Sequence, residues 1–356
     1  MQSMNSDISK QLQHKIVSAF ENNITLRIVG GNSKAFYGRE VSGEILDVSQ
    51  HQGILNYEPT ELVITARAGT PLSIIEKTLA ENQQMLGFEP PSFGDNATLG
   101  GTLACNFSGP RRYSAGAARD SLLGSKIING KGETLAFGGE VMKNVAGYDV
   151  SRLMAGAMGT LGVLLELSFK ILPKPEMETT CVFEYSSTEA LKNIHECGQK
   201  PLPISATCHY GSQLFLRLSG TERSVNAAIK TIGGEKLNDA EKFWQQLKEQ
   251  RTEFFQTDKP LWRLSLASDA VLDTLPGEIL AEWGGALRWL ISEEPASIIQ
   301  GELAAREGHA TLFRHGNPQN ELFQPLIPGL KTLHKNLKQA FDPNGILNPG
   351  KMYSEF

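Results

Sequence analysis

Apolar positions in the first half of the chain alternate between two periods. "ITLRIV" (Ile24–Val29) reads as a strand ending at Gly30-Gly31, and "GEILDVS" and "ELVITARAG" read as two more. Thr70-Pro71 then opens a helix, with threonine as the expected cap and proline at the first helical position. Leu72, Ile75 and Leu79 give that helix one apolar stripe. "SKIINGKGETLAFGG" predicts a hairpin about Asn129-Gly130, and the N-terminal "MQSMNSDISKQLQHKIVSAF" reads as an amphipathic helix. The second half is more regular. "TCVFEY", "STEALKNIHECG", "SATCHY", "QLFLRLS" and "TERSVNAAIKTI" predict one β-α-β-β-α unit. "LWRLSLAS", a short segment near Asp269 to Pro276, "GEILAEWG", "ALRWLIS", "PASIIQGELAAREG" and "HATLFRHG" repeat a similar order. Between them lies an amphipathic helix carrying Phe243, Trp244 and Leu247. The expectation is a duplicated β-α-β-β-α-β unit, an antiparallel sheet with helices on one face.

Residue usage divides the chain at the same place. Twenty-one of the 35 glycines precede residue 176, while all four tryptophans follow it. The first half needs backbone freedom, and the second packs as a conventional core. "LPKPEME" (Leu172–Glu178) holds two prolines at the changeover. The expected division is 1–175, 176–325, and a tail of 326–356 that ends in a Pro/Gly-rich loop.

At 356 residues, two domains are the default. A net charge of -5 without a basic run excludes an electrostatic case for nucleic acid. No apolar stretch approaches a membrane span. Four cysteines without CxxC spacing suit free thiols in a reducing compartment, and the N-terminus lacks signal-peptide character. The expectation is a soluble, cytoplasmic protein.

Several signatures are missing. GxGxxG does not follow the first strand, Ser125 stands where a P-loop needs glycine, and neither GxSxG nor HExxH occurs. What remains is four glycine-rich loops. "VGGNSKAF" can expose consecutive amides beside short polar side chains and Lys34, and it also makes a good surface turn. "GFEPPSFGDNATLGGTLACNFSG" stiffens at Pro90-Pro91; Gly100 and Gly101 would admit a phosphate or flat ring, or serve helix–sheet packing. "RRYSAGAARDSLLG" offers Arg111 and Arg112, either as an anion-binding pair or as solvated loop residues, with Arg119-Asp120 as a local ion pair. "KNVAGYDVSRLMAGAMGTLGVLLEL" predicts a short helix from Tyr148 to Ala155, ended by Gly156, with a strand beginning between Thr160 and Val163. Together the loops suggest an extended dinucleotide lying between two subdomains.

The order "GGNS … PPSFGDNATLGGTLACN … RD … KNVAGYDVSRLMAGAMGTLG", followed by "FDPNGILNPGK", resembles the FAD-binding family of vanillyl-alcohol oxidase and p-cresol methylhydroxylase. The resemblance covers about residues 25–175 and 340–352. It implies an α+β fold: a two-subdomain FAD-binding domain of p-cresol methylhydroxylase type, plus an antiparallel sheet-and-helix cap. It also implies that Gly30, Gly31, Asn32, Ser33 and Lys34 take the pyrophosphate. Pro90, Thr98, Gly100, Gly101, Ala104 and Asn106 would line the flavin and ribityl region. Gly159, Thr160, Gly162 and Val163 would meet the adenosine end, and Asn348 and Lys351 would reach the flavin from the tail.

Two departures matter. Relatives often have Gly-Ser-Glu-Gly where this chain has Gly156-Ala157-Met158-Gly159, and those with covalent flavin commonly carry His in the first loop or Cys near the arginine-rich one. The implied cofactor is non-covalent FAD. Within the family the resemblance is to FAD-binding subunits of multi-subunit glycolate oxidases. It implies a second FAD-binding subunit, an iron–sulfur subunit, glycolate as the small 2-hydroxy-acid substrate, and membrane contact only through partners. Relatives also carry a histidine-rich metal segment where this chain has "EGHATLFRHGNPQN"; His309 and His315 alone make a poor metal site, so no metal and no catalytic residue is assigned. Two alternatives stay open: a self-sufficient FAD-linked 2-hydroxy-acid dehydrogenase, and a docking scaffold without redox activity.

Overall fold

The computed structural model describes residues 5–139, 149–270, 272, 274–317 and 320–356. The expected helix start at Tyr148, residues 143–148 of the fourth glycine-rich loop, and parts of the Asp269 to Pro276 segment lie outside them.

The N-terminal helix Ser9–Asn22 buries Leu12, Ile16 and Ala19 against a parallel pair, Leu26–Val29 with Glu44–Asp47. A five-stranded antiparallel sheet follows, in the order Ile54–Glu58, Val63–Arg67, Val163–Lys170, Leu122–Ile128, Thr134–Gly138. Every residue of Val63–Arg67 is buried, as a central strand covered on both faces requires. The helix Leu72–Glu81 lays Leu72, Ile75 and Leu79 into this core. Thr70 does not cap it. Its hydroxyl takes the Gly53 amide at 2.9 Å, and Pro71 occupies the cap position. The hairpin of Leu122–Ile128 and Thr134–Gly138 forms with a longer turn than Asn129-Gly130 suggested, and its left-handed residue is Gly132.

Residues beyond Met177 build an eight-stranded antiparallel sheet. Its order is Glu235–Lys236, Met177–Glu184, Gln213–Gly220, Ile204–Tyr210, Glu278–Glu282, Leu287–Ile291, Leu261–Ser265, His309–Arg314. Read inward from either edge, the order is the same for each set of four strands, and Ile204–Tyr210 pairs with Glu278–Glu282 at the centre. Helices Ser187–Gly198 and Glu222–Ile232 pack on the first four strands and Ala296–Ala304 on the last four. The opposite face carries aromatic residues towards the first domain.

Two devices tie the parts together. The tail threads back, with Leu26 N–H bonded to Ile346 O and Asn348 N–H to Leu26 O, so it continues the Leu26–Val29 pair. Between the domains, Glu89 accepts from Arg217 Nη2 at 2.8 Å and Arg111 Nε at 3.0 Å, while Glu178 closes the cluster. Arg217 also lies over the Trp244 ring at 4.9 Å.

Burial alone would raise the Glu89 carboxyl, but the Arg217 and Arg111 charges and hydrogen bonds hold it below its ordinary value. A depressed folded pKa contributes stability above the unfolded value and loses it as pH falls through the folded one. Thermal melts from pH 7 downward are therefore expected to drop below about pH 4.3, where the unfolded carboxyl begins to take its proton. Glu89→Gln should start lower at pH 7 and fall less steeply in that window. An unchanged slope would remove Glu89 from this account.

Candidate functional site

A cleft of about 590 Å³ separates the two subdomains of the first half and runs under the second sheet. That volume lies within the range of ligand sites. Its first wall is the turn after strand Leu26–Val29. Asn32 adopts the left-handed conformation (φ 58°), which Asn tolerates better than most residues. Between Gly30 and Lys34, no backbone N–H donates to a protein acceptor among the described residues. A run of free amides beside a cleft is a concavity suited to an anion. Lys34 lines it too, with Nζ donating to Ser92 O at 3.2 Å, and burial lowers its pKa. Gly31 cannot be larger: a Cβ there would lie 1.3 Å from the Asn96 carbonyl oxygen.

The second wall is the short helix Leu99–Cys105. Thr98 caps it by accepting the Gly101 amide at 3.1 Å. The two glycines have different reasons. A Cβ on Gly100 would meet Ala68 at 2.7 Å, so that position is set by packing. At Gly101 a Cβ would approach only Thr98, leaving open space on the cleft side.

The third wall comes from the glycine-spaced turn and the tail. Gly159 (φ 76°) stands where a Cβ would lie 2.8 Å from Asn348 Nδ2. Asn348 receives the Ile28 amide at 2.8 Å and donates to Met158 O at 2.7 Å, locking three segments together. Gly162 fits against Ile127 and Ile128, and Gly156 takes a left-handed turn. Lys351 donates to Arg39 O at 3.0 Å and faces the same cleft.

Thirteen of the residues named from the sequence line the cleft: Gly30, Gly31, Asn32, Ser33, Lys34, Thr98, Gly100, Gly101, Ala104, Gly159, Gly162, Asn348 and Lys351. Four do not. Pro90 is buried in the preceding turn. Asn106 ends the short helix in a left-handed conformation and accepts the Arg119 amide. The Thr160 hydroxyl donates to Ala157 O, and Val163 points into the core of the N-terminal subdomain. Arg111 and Arg112 are neither a free anion pair nor solvated: Arg111 sits in the ion cluster, and Arg112 stacks on Trp283 at 4.1 Å. Arg119 Nε lies 3.8 Å from Asp120 Oδ1, a surface pair.

Sequence reasoning missed Tyr37, Phe313 and Arg314, and saw Cys105 only as a neighbour of the second glycine pair. Cys105 lies in the cleft near Lys34 and Lys351, yet burial pushes its thiol up to about 11. Arg314 and Phe313 come from the last strand of the second sheet, so only the folded chain brings them to the cleft. His315 lines the cleft as well, whereas His309 is exposed at the far end of that strand.

Residues 9–138 match a family profile described as "FAD binding domain", and 322–352 one described as "FAD linked oxidases, C-terminal domain". The chain is 50% identical over 349 residues, 98% of both proteins, to the Escherichia coli protein named glycolate oxidase subunit GlcE. The chain belongs to the GlcE family of FAD-linked oxidases. A protein of Bacillus subtilis named glycolate oxidase subunit GlcD is 32% identical over 149 residues, 42% of this chain and 31% of that one. Among solved structures, p-cresol methylhydroxylase superposes with a TM-score of 0.71 at 15% identity, covering 98% of this chain and 88% of that one. That likeness is one of fold, and it bears out the expected FAD-binding domain with a sheet-and-helix cap. GlcE-family membership makes the chain an FAD-dependent oxidoreductase, and the cleft suits the cofactor: free amides, two lysines and an open face at Gly101. Among the described residues, no helix is long and apolar enough to cross a membrane.

Proposed function

We propose that this chain is the FAD-binding subunit of a multi-subunit glycolate oxidase. The observation that carries the reading is the 50% identity to GlcE along nearly the whole of both chains. Bound FAD would supply the redox chemistry by which glycolate becomes glyoxylate. The chain's own residues bind and orient it. The free amides of Gly30 to Lys34 would take the diphosphate, with Lys34 and Lys351 adding positive charge. Thr98, Gly101 and Ala104 would let the flavin end approach the backbone, and Gly159, Gly162 and Asn348 would close the side under the tail.

Attachment is non-covalent in this reading. A thiol raised to about 11 is protonated at neutral pH and is a poor nucleophile. A second FAD-binding subunit and an iron–sulfur subunit would complete the electron path. A tagged chain co-expressed with those two subunits should purify with them and reduce a quinone-type dye with glycolate. Removing either partner should abolish turnover. Bleaching of the isolated chain's flavin by glycolate, followed by dye reduction without partners, would instead make it a self-sufficient dehydrogenase. Full turnover of a complex whose copy of this chain lacks FAD would make it a scaffold.

A further inference from the structure

The eight-stranded sheet repeats one strand order twice, but only one of the two helices of the first copy has a counterpart in the second. In the first copy, residues 185–203 join Met177–Glu184 to Ile204–Tyr210 through the helix Ser187–Gly198, which buries Ala190, Ile194 and Cys197. In the second copy, residues 266–277 join Leu261–Ser265 to Glu278–Glu282, and the described residues of that link form no helix. Ile204–Tyr210 and Glu278–Glu282 pair at the centre of the sheet. The helix that the second copy lacks would therefore lie beside Ser187–Gly198.

That place is a groove of about 1230 Å³, walled by Ser187–Gly198 on one side and by residues between Ser268 and Gly277 on the other. An α-helix about 10 Å across would fill this volume in about three turns. The floor is apolar: Ile279 and Ala281 line it with Ala286, while Leu191, Ile194 and Leu275 stand at its sides. The face of an antiparallel sheet that meets water carries polar residues, and Ile279 and Ala281 depart from that pattern. The rims are charged and opposite in sign. Lys192 stands on the helix, with Asp269 and Glu278 across the groove, and all three are exposed.

We propose that this groove docks an amphipathic α-helix from one of the partner subunits. Its apolar side faces Ile279 and Ala281, its basic residues run along the edge facing Asp269 and Glu278, and an acidic residue meets Lys192. This rests on the multi-subunit reading and gives that reading a contact surface: the partner supplies the helix missing from the second copy. The groove lies on the helix-bearing face of the sheet, and the aromatic face towards the FAD cleft is the opposite one. Docking and FAD uptake are therefore separable.

Thr188 is exposed on the groove side of its helix, so Thr188→Trp fills the groove without disturbing the core. Thr231→Trp, exposed on helix Glu222–Ile232 outside the groove, is the control. The full FAD-loaded chain is titrated with each purified partner subunit, and with both together, by sedimentation velocity. Thr188→Trp should weaken assembly about tenfold or more, as the loss of a well-packed contact does. Thr231→Trp should not, and both variants should take up FAD and melt as the wild type does. Reversing the rim with Asp269→Lys and Glu278→Lys should weaken assembly in low salt and less so in high salt, since exposed charges are screened. Hydrogen exchange in residues 187–198 should slow in the complex. Unchanged assembly in both Thr188→Trp and the rim variant, or unchanged exchange in residues 187–198, would overturn the groove as the docking site. Dimers of the isolated chain that Thr188→Trp abolishes would overturn it too, by giving the groove to a second copy. A wild-type chain that binds neither partner overturns the multi-subunit reading itself, whereas one that binds them equally well in every variant overturns only the groove.

Discussion

Asp342→Ala is expected to destabilise the chain by about 3–5 kcal/mol, the penalty for leaving a buried charge without its partner. Asp342 is 1% exposed, and Lys338 is also buried. Lys338 Nζ donates to Asp342 Oδ2 at 2.6 Å, Thr160 O at 2.9 Å and Leu347 O at 2.8 Å. The same Oδ2 accepts the Leu347 amide at 2.8 Å, and Oδ1 accepts the Ile346 amide at 3.0 Å. One ion pair therefore fixes the end of helix Pro328–Phe341, the turn at Thr160 and the returning tail. Burial lowers the Lys338 pKa and Asp342 raises it again, so losing Asp342 removes the counter-charge that opposes the burial penalty. Chemical denaturation of the wild type and Asp342→Ala measures the loss. Lys338→Met with Asp342→Leu should recover part of it, because two apolar groups need no partner. A loss below about 1 kcal/mol in the single variant, typical of a surface pair, would show that the pair does not organise the tail.

Gly31→Ala is expected to weaken FAD binding about a hundredfold or more, roughly 2.7 kcal/mol. The added methyl would fall on the Asn96 carbonyl, which is backbone and cannot swing away as a side chain could. The loop from Gly30 to Lys34 must move as a unit, and its free amides move with it. No residue from Gly30 to Lys34 belongs to a hydrophobic core cluster, so the melting temperature of the FAD-free chain should change by only a few degrees. FAD titration followed by flavin fluorescence, alongside melts of the FAD-free protein, separates the two effects. Unchanged affinity would mean that the cofactor does not rest on this loop.

The cleft could be anticipated where local chemistry sets the backbone, and not where distant segments meet. The pair Gly30-Gly31 followed by Asn32 marks a turn with a left-handed residue, and the strand before it is plain from "ITLRIV". Leu72, Ile75 and Leu79 predict their helix because each lands on the same buried stripe. The edge strand Ile54–Glu58 escaped notice: it is only half buried, and its register slips between Ile54 and Asn56, which blurs the alternation. Thr70 looked like a cap because its position was right, but Gly53, seventeen residues earlier, takes its hydroxyl. Arg111 read either as an anion-binding or as a solvated loop residue because nothing near it in sequence balances its charge. Its partners, Glu89 and Glu178, lie 22 and 67 residues away.

The account rests on FAD held without a covalent bond in the cleft between Gly30 and Lys351. The most direct measurement is the visible absorption spectrum of the purified chain, repeated on the supernatant after acid precipitation. Flavin bands corresponding to one FAD per chain, all recovered in the supernatant, are the predicted result. Bands that stay with the pellet would contradict the non-covalent assignment, and a colourless chain that takes up no added FAD would contradict the account as a whole.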